Sequence, residues 1–258
     1  MQNHELLKLT AHQVMENKYD KVILALGSCE AHGSHIAEGC DTFVSYEIAK
    51  LIADGVKGML VLPPVPIGYS KHYDTFPFTL SLEYNTEIRV IYDILASVLR
   101  NGINKIFIMC GHDGNIAPIE IAARQIKEAW PDARIISLPQ WWVTAVDLLP
   151  QGTFKAWNGS GHAGEGETSI AYHLFPQWCE PELATCVIPD RLPPFVDVKW
   201  DFAELTNTAQ TGDATAATAE KGEMMTQALV SEMISVIKDL DACGWNYCSS
   251  KCSRKLSE

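Results

Sequence analysis

Glu30, His32, His35 and Asp41 fall within a dozen residues of one another, in a segment that follows the apolar run from Lys21 to Leu26. Removing unpaired charges from water is costly, and coordination to a divalent cation is the usual compensation when carboxylates and imidazoles cluster beside a buried element. The spacing therefore points to a metal site at the end of a strand. If that strand runs on through Glu30, period-two alternation puts Glu30 and His32 on one face and Cys29 on the other.

Two further segments carry chemistry. In Cys110-Gly111-His112-Asp113-Gly114-Asn115 an apolar run stops and a helical pattern begins, so His112 is placed over a sheet edge, where it could complete a site begun by Glu30 and Asp41. In Gly161-His162-Ala163-Gly164-Glu165-Gly166-Glu167-Thr168-Ser169 the acids open a helix. They can complement the helix dipole there, or they can face a ligand across a backbone bared by small residues.

The elements that must position these residues are legible as apolar periodicity. Val22 to Leu26, Met59 to Leu62, Lys105 to Cys110 and Arg134 to Leu138 read as buried strands. Asn85 to Arg100 reads as a helix with Asn85 as N-cap and Asn101-Gly102 as its stop. Ile116 to Trp130 reads as a second helix, ended by Pro131, and about Ala219 to Leu240 as a last one with Met225, Leu229, Met233 and Val236 inward. This β-α order predicts a parallel sheet covered on both faces, with ligands beyond the carboxyl ends of its strands. Residues 176–218, rich in proline, read as extended surface or interface structure. Residues 1–242 are expected to form one domain, followed by a cysteine-containing tail, 243–258.

Composition narrows the function classes. A formal charge of -12 argues against a nucleic-acid or anionic membrane surface and leaves a small-molecule partner. The amino terminus lacks the basic and apolar regions of a signal peptide, and no apolar run reaches membrane-span length, so a cytoplasmic location is expected. None of the eight cysteines forms a Cys-x-x-Cys pair, which favours thiols in the core and a loose tail of free thiols over a zinc ribbon.

Together these segments resemble the creatininase (creatinine amidohydrolase) family over nearly the whole chain. Glu30, His32, Gly33, Asp41 and Thr42 meet its first motif, and Gly111, His112 and Asn115 its second. His162, Gly164, Glu167, Thr168 and Ser169 meet its third. Weaker echoes are Phe76 to Ser81 and Ala217 to Glu223. Three ordered motifs in the right strand and helix context are far more specific than any one alone.

The resemblance implies a three-layer α/β/α sandwich with a mostly parallel sheet, a homo-oligomer that is often a hexamer, and two divalent ions, zinc and/or manganese with iron as an alternative. Glu30, Asp41 and His112 would hold one ion, and Asp41 would bridge to a second bound by His32. Creatininase supplies a further glutamate two residues after its Gly-His histidine, where this chain has Gly114. Glu165 is expected to replace that ligand. No motif position calls on His35, which leaves it a supporting role. The implied reaction is hydrolysis of a small carbon-nitrogen substrate, a cyclic amide or formamide, by a metal-bridging hydroxide. His162 would be the catalytic proton carrier and Glu167 would orient it or the substrate, with Trp157, His72 and Tyr73 lining the substrate pocket. Carbon-carbon hydrolysis of an inositol-derived cyclic ketone and a non-catalytic metal-binding role stay open as alternatives.

Overall fold

Four apolar runs pair into one parallel sheet: β1 (Lys21–Leu26), β2 (Met59–Val61), β3 (Lys105–Cys110) and β4 (Arg134–Leu138), in the order β2-β1-β3-β4. The computed structural model describes residues 4–189, 195 and 198–246. In β1, Ile23 and Ala25 face one core layer while Val22, Leu24 and Leu26 face the other. Burial on both faces is why the strand reads as an unbroken apolar run. β1 pairs with β2 on one side and β3 on the other, Ile23 opposite Val61 and Phe107.

Helices close the sandwich. Besides the short α1 (Ala11–Asn17), α2 (Cys40–Gly55), α5 (Trp141–Asp147), α6 (Glu165–Leu174) and α7 (Ala219–Ala242) cover one face. The other is covered by α3 (Tyr84–Arg100) and α4 (Ile116–Ala129). In α7, Met225, Leu229, Met233, Ile237 and Leu240 are buried, and Val236 packs at the margin of the stripe. Truncating Leu229 to Ala would cost about 2–5 kcal/mol. None of the helices among the described residues is long and apolar enough to cross a membrane.

Two local expectations are corrected. The first strand ends at Leu26 rather than running through Glu30, because Gly27 N–H turns to the Val65 carbonyl at 2.9 Å. Helix α3 is capped by Glu83 rather than Asn85, with no side-chain cap bond. A small antiparallel pair joins β5 (Cys186–Val187) to β6 (Gly212–Asp213). Of the tail, Cys243 follows α7, while Cys248 and Cys252 lie outside the described residues.

Candidate metal centre

Chain order reverses between β1 and β3, and a crevice forms beyond the carboxyl ends of strands at such a point. The loop after β1 delivers Glu30 and His32, the first turn of α2 delivers Asp41, and the residues after β3 deliver His112. Ser28 Oγ donates to Asp41 Oδ2 at 2.7 Å, and Thr42 Oγ1 donates to the Ser28 carbonyl at 3.0 Å, which ties loop to helix. Asn115 joins the strand ends, donating from Nδ2 to the Gly27 carbonyl at 2.9 Å and accepting from Tyr69 N–H at 3.2 Å.

Backbone carbonyls fix the imidazoles. A carbonyl oxygen can only accept, so each ring nitrogen bonded to one carries the proton. His32 Nδ1 donates to the Glu30 carbonyl at 2.9 Å, His112 Nε2 to that of Tyr69 at 2.8 Å and His162 Nε2 to that of Ala31 at 2.8 Å. The remaining nitrogens all face carboxylates. His32 Nε2 lies 3.0 Å from Asp41 Oδ1 and 3.9 Å from Glu167 Oε2, while His112 Nδ1 lies 3.1 Å from both Glu30 Oε1 and Asp41 Oδ2. His162 Nδ1 is farther out, 3.9 Å from Glu30 Oε1 and 4.0 Å from Glu167 Oε2.

Lone pairs opposite carboxylates need a cation or a proton between them. Burial opposes ionisation of Asp41, yet His32 and His112 outweigh it and hold the carboxyl well below the usual range. Burial likewise disfavours a charged His112, but Glu30 and Asp41 hold that imidazole well above its ordinary value. Cys40 and Asp41 do the same for His32 against its burial. A divalent ion would displace these protons. The decisive atoms are the two carboxylate oxygens of Glu30, wholly buried: Oε2 has no hydrogen-bond partner, and Oε1 has only the His112 Nδ1 at 3.1 Å. A buried carboxylate left so costs several kcal/mol, and a metal ion satisfies it. Ligand atoms of Glu30, Asp41 and His112 lie within 4.8 Å of one another, as do those of Glu30, His32 and His162 and of His32, Cys40 and Asp41. The donors therefore fit a divalent metal centre.

Glu165 is a correction. The fold turns it away from the cluster: Lys221 Nζ donates to Oε1, and the Lys155 and Ala156 N–H groups donate to Oε2 at 2.7 and 3.4 Å. A carboxylate two residues along, Glu167, points inward instead and accepts from Ala163 N–H at 2.6 Å. Position 114 has no room for a side chain, since a Cβ there would lie 2.0 Å from the Tyr69 carbonyl oxygen and 2.6 Å from His112 Nε2. Gly114 thus admits the carbonyl that orients His112. His35 is buried nearby, its Nε2 donating to Thr168 Oγ1 at 2.9 Å.

A cleft of about 1300 Å³ opens onto the centre and is lined by Asp41, His112, His162 and Glu167 among others. His72 and Tyr73 line it too, the His72 ring stacked 5.6 Å from His112 and the Tyr73 ring 4.7 Å from His162. Trp157 is not among the lining residues; it sits in a turn with φ 47° outside the cleft. Sequence reasoning missed Phe202, whose ring packs 4.4 Å from Tyr73 and 5.1 Å from His162. It comes from the stretch read as surface, where nothing local marks it as a wall of the site. Tyr69 was missed because it acts through its carbonyl, which no residue type signals.

The family profile described as creatininase, creatinine amidohydrolase, matches residues 7–237. Creatinine amidohydrolase of Pseudomonas putida is 26% identical over 233 residues, covering 84% of this chain and 88% of that protein. Mycofactocin precursor peptide peptidase of Mycobacterium ulcerans (strain Agy99) is 23% identical, covering 86% of each. A solved manganese creatininase superposes with a TM-score of 0.77 at 24% identity, over 92% of this chain and 98% of that one. Motifs, fold and profile agree, and the chain belongs to the creatininase family.

Proposed function

We propose that this chain is a metal-dependent hydrolase of a carbon-nitrogen bond in an amide or cyclic amide, with two divalent ions. Glu30, Asp41 and His112 would hold one, and Asp41, His32 and Glu167 the other. The observation that carries the reading is the wholly buried carboxylate of Glu30, whose Oε2 has no partner and whose Oε1 meets only the His112 Nδ1 at 3.1 Å. Family membership supports it, since family members are amidohydrolases. Zinc and manganese both suit this mixture of imidazole and carboxylate donors.

Such ions supply carbonyl polarisation and water activation at neutral pH. The chain's own residues do the rest. Asp41 offers Oδ1 toward His32 and Oδ2 toward His112, so one carboxylate can serve both halves of the centre. Burial, then the charge of His32, lower His162 to about 3, so its Nδ1 carries no proton at neutral pH; it would relay one to the departing nitrogen with His32 bound to a metal and no longer charged. The Ala31 carbonyl holds that ring by its other nitrogen. Glu167, fixed by Ala163 N–H, stands beside it, so this reading gives it ligation rather than orientation alone. His72, Tyr73 and Phe202 would hold the substrate against the centre. The exposed Phe78 and Leu80 support a homo-oligomer, because side chains of this kind gain most from burial between copies.

Elemental analysis of protein purified without chelator or affinity-tag metal, followed by turnover assays, tests this reading. Two divalent ions per chain and turnover of lactams, formamides or short peptides are expected. Turnover confined to cyclic diketones would move the chemistry to carbon-carbon bonds, ions without turnover of any of these would make it a binding protein, and no retained ion would sink the proposal.

A further inference from the structure

Cys40 is the first residue of α2, adjacent to Asp41, and is wholly buried. Its Sγ, His32 Nε2 and an Asp41 oxygen lie within 4.8 Å of one another. A tetrahedral zinc ion places sulfur and nitrogen donors about 3.5 Å apart, so these atoms need only a small contraction to share one. His32 Nε2 is available because its other nitrogen is committed to the Glu30 carbonyl. The buried thiol of Cys110 differs: it donates to the His112 carbonyl at 3.0 Å, whereas that of Cys40 faces the His32 ring.

We propose that Cys40 is a thiolate ligand of the ion held by His32 and Asp41, which makes that half of the centre selective for a thiophilic divalent cation such as zinc. The inference rests on the metal-centre reading and adds a donor to it. With Glu167 the set becomes one nitrogen, two carboxylates and one sulfur, a closed four-coordinate shell. The half built from Glu30, Asp41 and His112 has no sulfur and three protein donors, so open positions for substrate lie there. Soft sulfur ligation prefers zinc over manganese, while carboxylate and imidazole alone accept either. Binding forms a metal-sulfur bond and releases the thiol proton to solvent, with no change of oxidation state.

Chelated protein reloaded with cobalt(II) is expected to show a near-ultraviolet sulfur-to-cobalt charge-transfer band, and the zinc form a sulfur scatterer at about 2.3 Å by X-ray absorption. Cys40→Ser should abolish both signals and weaken zinc retention about 10- to 100-fold while leaving manganese retention at the other half unchanged. The wild-type spectra decide the matter even if the variant fails to fold. Bound ions with a shell of nitrogen and oxygen only, or sulfur signals that survive Cys40→Ser in folded protein, would overturn the assignment while leaving the metal centre standing. Failure of wild type to bind cobalt or zinc would overturn both.

Discussion

Glu30 and Glu165 are both wholly buried, yet they are opposites. Glu165 has both oxygens occupied, by Lys221 from α7 and by the N–H groups of Lys155 and Ala156. Glu30 Oε2 has no hydrogen-bond partner, and Oε1 has only the imidazole of His112 at 3.1 Å. Burial therefore does not separate a carboxylate whose oxygens the fold satisfies from one whose oxygens it leaves largely unmet; the hydrogen bonds do. Glu165 closes a structural knot between α6, α7 and the loop that carries His162.

The sharpest way to break this contrast is Glu30→Gln. Loss of a ligand should cost several kcal/mol in the transition state, on the order of a thousandfold in kcat/KM. The chelated variant should keep its stability within about 1 kcal/mol, because in Glu30 the cost of burial and the attraction of His112 oppose each other. A large loss of stability in urea denaturation of the metal-free protein would place Glu30 with Glu165. The converse variant, Glu165→Gln, leaves Lys221 without its countercharge and should cost about 3 kcal/mol, with metal content per folded chain unchanged. An ion lost from folded Glu165→Gln protein would make Glu165 a ligand after all.

Glu87 sharpens the comparison from between the two extremes. It is buried in the first turn of α3, its Oε2 has no partner, and burial pushes its carboxyl up to about 7. The folded state thus holds a proton that the unfolded state loses near pH 4.5, so Glu87 favours folding at low pH and that contribution is lost as pH rises from about 4.5 through 7. Glu87→Gln should remove this slope and stabilise the protein by about 1–3 kcal/mol at pH 8 relative to pH 5. Parallel urea midpoints for wild type and variant that do not diverge with pH would show that Glu87 is satisfied in solution.

These three glutamates also show what a sequence can disclose. β1 and β3 were legible almost to the residue because burial on both faces leaves apolar runs unbroken by polar alternation. Glu30, His32, Asp41 and His112 were legible because local spacing puts each just past a strand or at a helix start. Glu165 was misread because its partner, Lys221, is supplied by a distant helix, and the two acids of the third motif look alike until the backbone decides which way each turns. Gly114 read as a missing ligand, whereas its lack of a side chain admits the Tyr69 carbonyl. The cleft wall at Phe202 exists only once its segment folds back over Tyr73, a long-range event that periodicity does not encode.

The donors of the centre come from the loop after β1, the start of α2, the turn after β3 and the start of α6, so they meet only after sheet and flanking helices have assembled. No stretch of the unfolded chain presents more than the Glu30-to-Asp41 fragment of the site. An ion bound by these donors would consequently not nucleate folding as zinc does in a finger; it would act as a late lock, stabilising the finished protein by mass action according to its free concentration. The two apolar layers on either side of the sheet need no metal to form, so newly made chains can collapse first and acquire their chemistry afterwards, when ions are at hand.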